Sequence, residues 1–144
     1  MKIAVVDGQG GGIGYQVILQ LREKLPEDVE IIALGTNAVA TQNMLKAKAN
    51  RGASGENAIV RTVNAVDVIV GTLSIVAAHS MMGELTPAMA EAIAASRAIK
   101  VLLPHNQSQI EVISAVSKPL PHLIEDLVAR LQELLKERKS SQSV

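Results

Sequence analysis

The sequence predicts an α/β fold: a three-layer, Rossmann-like, doubly wound arrangement around a mostly parallel sheet of about five strands. Three observations lead there. Short continuous apolar runs such as Ile3-Ala4-Val5-Val6 alternate along the chain with amphipathic stretches of helical period. Runs without in–out alternation are the pattern of strands covered on both faces. A glycine cluster, Gly8-Gln9-Gly10-Gly11-Gly12-Ile13-Gly14, joins the first such run to the first amphipathic stretch. Finally, no internal repeat and no linker interrupts the 144 residues. They read as one domain over residues 1–138 with a polar, disordered tail at 139–144.

The first strand is expected at residues 2–7, ended by Gly8. A helix follows at 13–25, with Ile13, Val17, Ile18, Leu21 and Leu25 on one face and Pro26 as its stop. The second strand is expected at 29–34, ended by Gly35, and the second helix at 37–49, capped by Thr36 or Asn37. Residues 50–55, Asn-Arg-Gly-Ala-Ser-Gly, read as a turn. Residues 56–65 carry both a helical face and β-branched content, and are expected to form a short helix feeding a strand at 67–71. Residues 72–85 are apolar without clean period, a loop with one or two helical turns. Thr86-Pro87 marks the next helix start, with a cap followed by proline at the first helical position, and that helix runs to about Arg97. Strands are expected at 100–103 and at 110–116. The clearest helix is 119–137, where Leu123, Leu127, Leu131, Leu134 and Leu135 recur on one side.

In such folds ligands bind at the carboxyl ends of the strands, near the point where strand order reverses. The polar residues expected on that rim are Asp7 with its glycines, Thr36, Asn37, Thr72, Ser74, His105, Asn106 and Gln107. Glycines there let the backbone approach a ligand and turn free amides toward it, and the following helix start favours an anion.

Composition removes several function classes. Fourteen basic and fourteen acidic side chains leave no positive excess for broad nucleic-acid binding. Tyr15 is the sole aromatic ring, so there is no stacking platform for single strands. The chain has no cysteine, which excludes disulfides, thiol nucleophiles and cysteine-based metal sites. Residues 63–76, the most apolar region, are too short and too polar for a membrane span. The N-terminus shows no signal-peptide pattern, so a soluble, cytoplasmic protein is expected.

The G-x-x-x-G-x-G spacing from Gly8 to Gly14 resembles the cofactor loop of short-chain dehydrogenases, which implies a turn wrapping the pyrophosphate of NAD(P) or another nucleotide. Two departures argue against hydride transfer. The family's Tyr and Lys lie four residues apart, whereas Leu19 stands four after Tyr15. The second strand ends Ala33-Leu34-Gly35-Thr36-Asn37, without the acidic residue that grips a ribose diol. Leu34-Gly35-Thr36-Asn37 with the turn from Gly52 to Asn57 resembles the methylglyoxal-synthase-like domain, implying affinity for small phosphorylated ligands. Over nearly the whole chain, the sequence resembles an uncharacterised bacterial family of short proteins, a domain of unknown function with an N-terminal Asp-Gly-Gln-Gly-Gly-Gly motif. The segments that carry this are Asp7–Gly12, Ala33–Asn37, Gly55–Ile59 and Gly83–Glu91.

The expected function is binding of a phosphorylated small molecule, a nucleotide or dinucleotide, at Gly8, Gln9, Gly10, Gly11, Gly12, Ile13 and Gly14, with Thr36 and Asn37 nearby. Asp7 is either a Mg²⁺ ligand or general base, or an aspartate accepting its own turn's amides; no metal site is assigned. Gln9 either bonds a ligand or folds over the turn. Asp7 and His105 are the candidate catalytic pair. His79 reads as structural, and His122 as having no chemical role. Arg51 either clamps an anion or forms a surface pair, while Glu84 and Glu91 either supply a carboxylate pair or are a residue before a cap and a solvated helix position. Leu73, Ile75, Val76, Met81 and Met82 read as a lid or as a partner-facing patch. The alternatives are therefore an interaction or regulatory subunit using residues 73–82, or a small lyase or isomerase acting on a sugar phosphate. A homo-oligomer is expected in each case.

Overall fold

A computed structural model describes residues 1–105 and 109–142. Its five parallel strands are β1 (Lys2–Asp7), β2 (Glu30–Gly35), β3 (Arg51–Ser54), β4 (Val68–Thr72) and β5 (Ile99–Leu103), in the order β3-β2-β1-β4-β5. The helices are α1 (Gly12–Lys24), α2 (Ala38–Lys46), α3 (Glu56–Thr62), α4 (Pro87–Ala95) and α5 (Leu120–Gln142). Side chains alternate across each strand, so Ile3 and Val5 face one way and Ala4 and Val6 the other. The first set packs against α1, α2 and α5, and the second against α3 and α4. The result is the expected three-layer, doubly wound α/β fold.

The chain first moves outward from β1 through β2 to β3, then returns to lay β4 on the other side of β1. The switch point therefore lies between β1 and β4. Register brings the functional ends level: Asp7 pairs with Gly35, and Thr72 with Leu103. Between β4 and α4 the chain forms two 3-10 turns, Leu73–Val76 and Met81–Gly83, as the poor periodicity implied. Helix α4 begins as expected: Thr86 accepts the Met89 N–H at 3.2 Å, with Pro87 next.

Three expectations change. Residues 51–54, read as a turn, are the edge strand β3. Arg51-Gly52-Ala53-Ser54 has no apolar run to announce a strand; pairing creates it, starting where Asn50 bonds both ways to the Ile31 backbone, at 2.7 and 2.8 Å. Residues 110–116 are not a strand: among the described residues the sheet ends at β5. Val112, Ile113 and Val116 are exposed instead.

The third change concerns the tail, where α5 continues to Gln142, so that Lys139 to Gln142 are helical rather than disordered. Leu134 is buried in the core, and Arg138 pairs with Asp67 at 2.8 Å. Burial of Asp67 opposes its ionisation. The Lys2 N–H at 2.7 Å and the Arg138 guanidinium outweigh that and hold its carboxyl below the ordinary range. This contact lies beyond the leucine stripe of the helix. Among the described residues no helix is long and apolar enough to cross a membrane.

Candidate functional site

The turn after β1 is built around Asp7. Its side chain is 8% exposed, with one oxygen accepting the Gly8 N–H at 2.8 Å and the other the Gly14 N–H at 2.7 Å. Burial pushes the Asp7 pKa above its ordinary value of 3.8, and the neighbouring Glu84 adds to the rise; the two amide hydrogen bonds offset it only in part. With both oxygens on backbone amides, Asp7 stabilises its own turn. That favours the second of the two readings open from sequence.

The glycines divide into two groups. Gly11 is the residue before α1, with φ +71°, and a Cβ there would meet the Ala40 backbone at 2.7 Å. A Cβ on Gly14 would meet Met44 at 2.5 Å, and one on Gly8 would meet Met81 and Thr36 at 2.6 Å. These three glycines let α1, α2 and the segment after β4 approach closely. Gly10 and Gly12 face open space, with nothing within 4 Å of a Cβ. The amides divide similarly. Gly14 N–H is held by Asp7, Gly11 N–H by the Gly8 carbonyl at 2.9 Å, and Gln9 N–H by Glu84 at 2.8 Å. The N–H groups of Gly10, Gly12 and Ile13 bond no acceptor among the described residues. Gly11 and Gly14 thus commit their N–H groups to the turn itself.

Glu84, readable from sequence as one of a carboxylate pair with Glu91 or as a residue before a cap, stands with its Oε1 at the end of β2. There it accepts Thr36 Oγ1–H at 2.6 Å, Asn37 Nδ2–H at 2.8 Å and the Gln9 N–H. Burial raises its pKa, but the three donors outweigh that and hold the carboxyl below its ordinary range. The acidic group absent from the end of β2 in sequence is thus supplied in space by a residue far along the chain. Asn37 also caps α2 through the Ala40 N–H at 2.9 Å. Nothing in the local sequence signals these long-range contacts.

The segment bearing Glu84 has an unusual backbone: His79, Met81, Met82 and Gly83 all have positive φ, from 56° to 91°. For the three non-glycine residues this costs roughly 1–2 kcal/mol each. Of the apolar side chains read as a lid or a partner-facing patch, Ile75 is fully buried, Leu73, Val76 and Met81 are half-buried, and Met82 is exposed. The physical reason is that this segment folds down onto the sheet end to cover Ala4, Val6 and Ile69. Met81 lies against Gly8.

At the switch point these parts leave a cleft of about 60 Å³ lined by Asp7, Gly8, Gln9, Ile13, Thr72, Ser74, Met81 and His105. The hydroxyls of Thr72 and Ser74 bond no other described residue. His105 is exposed at the mouth. Asn106 and Gln107 lie outside the described residues. His79 is exposed and outside the cleft; exposed His122 pairs with Glu125 at 3.6 Å. Arg51 forms the surface pair, with Glu30 at 2.5 Å. Glu91 is exposed on α4. The cleft is well short of the roughly 300–1,000 Å³ of small-molecule pockets. With Met81 and Glu84 over Gly8, it does not fit a dinucleotide or flavin nucleotide in this conformation.

Fold and cleft together define an α/β protein with its candidate site at a topological switch point. The chain belongs to the family described as a domain of unknown function, DUF3842, whose model matches residues 2–136. No curated protein matches the sequence at a significant level. Among solved structures it is similar to a dodecameric FMN-dependent UbiX-like decarboxylase from Escherichia coli O157:H7. The identity is 14% and the TM-score 0.51, over 94% of this chain and 95% of that one. At that identity the likeness concerns the fold.

Proposed function

We propose that the protein binds a phosphorylated small molecule at the switch-point cleft. The observation that carries this is a group of donors lining one small space. The amide of Ile13, in the first turn of α1, and the hydroxyls of Thr72 and Ser74, from the end of β4, bond no other described residue, and His105 stands at the mouth. Backbone N–H groups at a helix start favour an anion. Asp7 and His105 line the same cleft and are the acid–base candidates of this reading. The similarity to an FMN-dependent enzyme supports it only through the shared fold. A ligand larger than a few atoms requires the 79–84 segment to withdraw from Gly8.

The test is a thermal-shift panel of inorganic phosphate, pyrophosphate, nucleotides, dinucleotides and sugar phosphates. Saturation at about 100 times Kd stabilises the folded state by about 2.7 kcal/mol, a shift of roughly 5–10 °C for a chain of this size. Thr72→Val removes a lining hydroxyl that bonds no other described residue, so its ligand-free Tm is expected close to wild type while the shift is reduced. No shift from any panel member would end this reading.

Homo-oligomerisation belongs to the same proposal. Ile113 and Val116, 87% and 66% exposed, form an apolar strip with Val112 that a second copy would cover. Light scattering is expected to return a multiple of the 15.2 kDa chain mass; a monomer at micromolar concentration would refute it.

A further inference from the structure

On the β2 side of the glycine turn the Glu84 carboxylate sits in a cradle of donors. Three neutral donors from two elements converge on a single carboxylate oxygen: Gln9 N–H at 2.8 Å, Thr36 Oγ1–H at 2.6 Å and Asn37 Nδ2–H at 2.8 Å. No lysine or arginine takes part, so an acidic group is received by dipoles alone, as backbone and hydroxyl cradles receive phosphate. The residue filling the cradle arrives on a segment with left-handed backbone at His79, Met81, Met82 and Gly83. That segment is closed by its own hydrogen bonds, His79 N–H to the Leu85 carbonyl at 2.7 Å and Gly83 N–H to the His79 carbonyl at 3.1 Å. Its base is anchored by the hydrogen bond from Ser80 Oγ–H to the Ser74 carbonyl at 2.6 Å and by buried Leu85. On the side of the glycine turn its contacts are Glu84 in the cradle and Met81 on Gly8.

We infer that this cradle is an anion subsite with the Glu84 carboxylate as its displaceable internal ligand, and that an oxyanion group of the incoming molecule, a phosphate or carboxylate, replaces that carboxylate as the 79–84 segment lifts. The inference rests on the binding reading above and adds its regulation. The resting protein carries a built-in competitor, and a molecule with two acidic groups, one for each subsite, opens the site better than one with a single group. A permanent structural tie predicts the opposite outcome, because removing Glu84 would then only weaken the turn.

The experiment compares wild type with Glu84→Ala and Glu84→Gln, titrating inorganic phosphate, with acetate in parallel, and following Tm and amide hydrogen exchange of residues 77–85. Glu84→Ala is expected to bind phosphate or acetate at least tenfold more tightly than wild type, and Glu84→Gln to show a smaller gain. A neutral amide holds the donors less strongly than a carboxylate. Adding Thr36→Val to either variant is expected to remove the gain. Exchange in 77–85 should rise in Glu84→Ala before any ligand is added. Equal affinities in all three proteins, or a gain that survives Thr36→Val, overturns the inference. If Glu84→Ala does not fold, Glu84→Gln alone decides by the same criterion. A gain in the variants with no panel ligand binding to wild type would leave the subsite standing and remove the function proposed above. Wild-type binding without a gain would do the reverse.

Discussion

Gly11→Ala is expected to destabilise the protein by roughly 2–5 kcal/mol, while Gly12→Ala, one residue on, leaves it nearly unchanged. Gly11 sits at φ +71°, and a Cβ there meets the Ala40 carbonyl oxygen at 2.7 Å and its Cα at 2.8 Å. The left-handed backbone costs a non-glycine residue roughly 1–2 kcal/mol. Overpacking against a neighbour that cannot yield adds about 1–3 kcal/mol. The neighbour here is helix backbone, so the strain cannot be relieved by a rotamer change. Gly12 has neither problem: its Cβ meets nothing within 4 Å and its backbone is helical. Thermal denaturation should separate the two variants by roughly 5–15 °C. Equal Tm values would mean that α1 and α2 can part at this turn, and that the division into close-packed and open-facing glycines is wrong.

Asp7→Asn is expected to cost about 1–3 kcal/mol, the penalty of leaving one buried donor unmet. Each Asp7 oxygen accepts one backbone N–H, from Gly8 and from Gly14. An amide offers only one oxygen, so one of those N–H groups would face an NH₂. The variant also carries a pH signature. Burial raises the folded-state pKa of Asp7 above 3.8, so the folded protein binds this proton more tightly than the unfolded chain does. Below 3.8 the group is protonated in both states. As pH rises from there through the folded pKa, the unfolded chain releases the proton first and stability falls, levelling off above the folded pKa. Wild type should show this decline and Asp7→Asn should lack it. Glu84 and Asp67, both with lowered pKa, work in the opposite direction, losing stability as pH falls through their folded values. They are present in both proteins and largely cancel in the difference. Urea denaturation from pH 3 to 8 measures that difference, and a flat curve would refute the assignment. The same proton favours a bound phosphate, so anion affinity should decline over the same rise in pH.

Much of this fold is legible because its signals are local. β1, the glycine turn and α1 follow from a continuous apolar run, a glycine cluster and a helical stripe in consecutive residues. The start of α4 follows from Thr86-Pro87, and α5 from its leucines. What was missed is non-local. β3 has no hydrophobic signature, since Arg51 to Ser54 form a short edge strand defined by hydrogen bonds to β2. Residues 110–116 have strand-like composition but no strand beside them to pair with. Glu84 looks like any acidic residue ahead of a helix, until a crossing segment carries it to Thr36 and Asn37.

The chain's alternation of apolar runs and amphipathic stretches was enough to determine the layers, the parallel sheet and the position of the glycine turn. Backbone period and side-chain burial are properties of neighbouring residues. Which glycines serve the fold and which face open space could not be read that way. Nor could the fate of the Asp7 oxygens, or the identity of the group occupying the donors at the end of β2. Those depend on what the other side of the molecule presents at a distance of about 3 Å, and only the packed chain decides that.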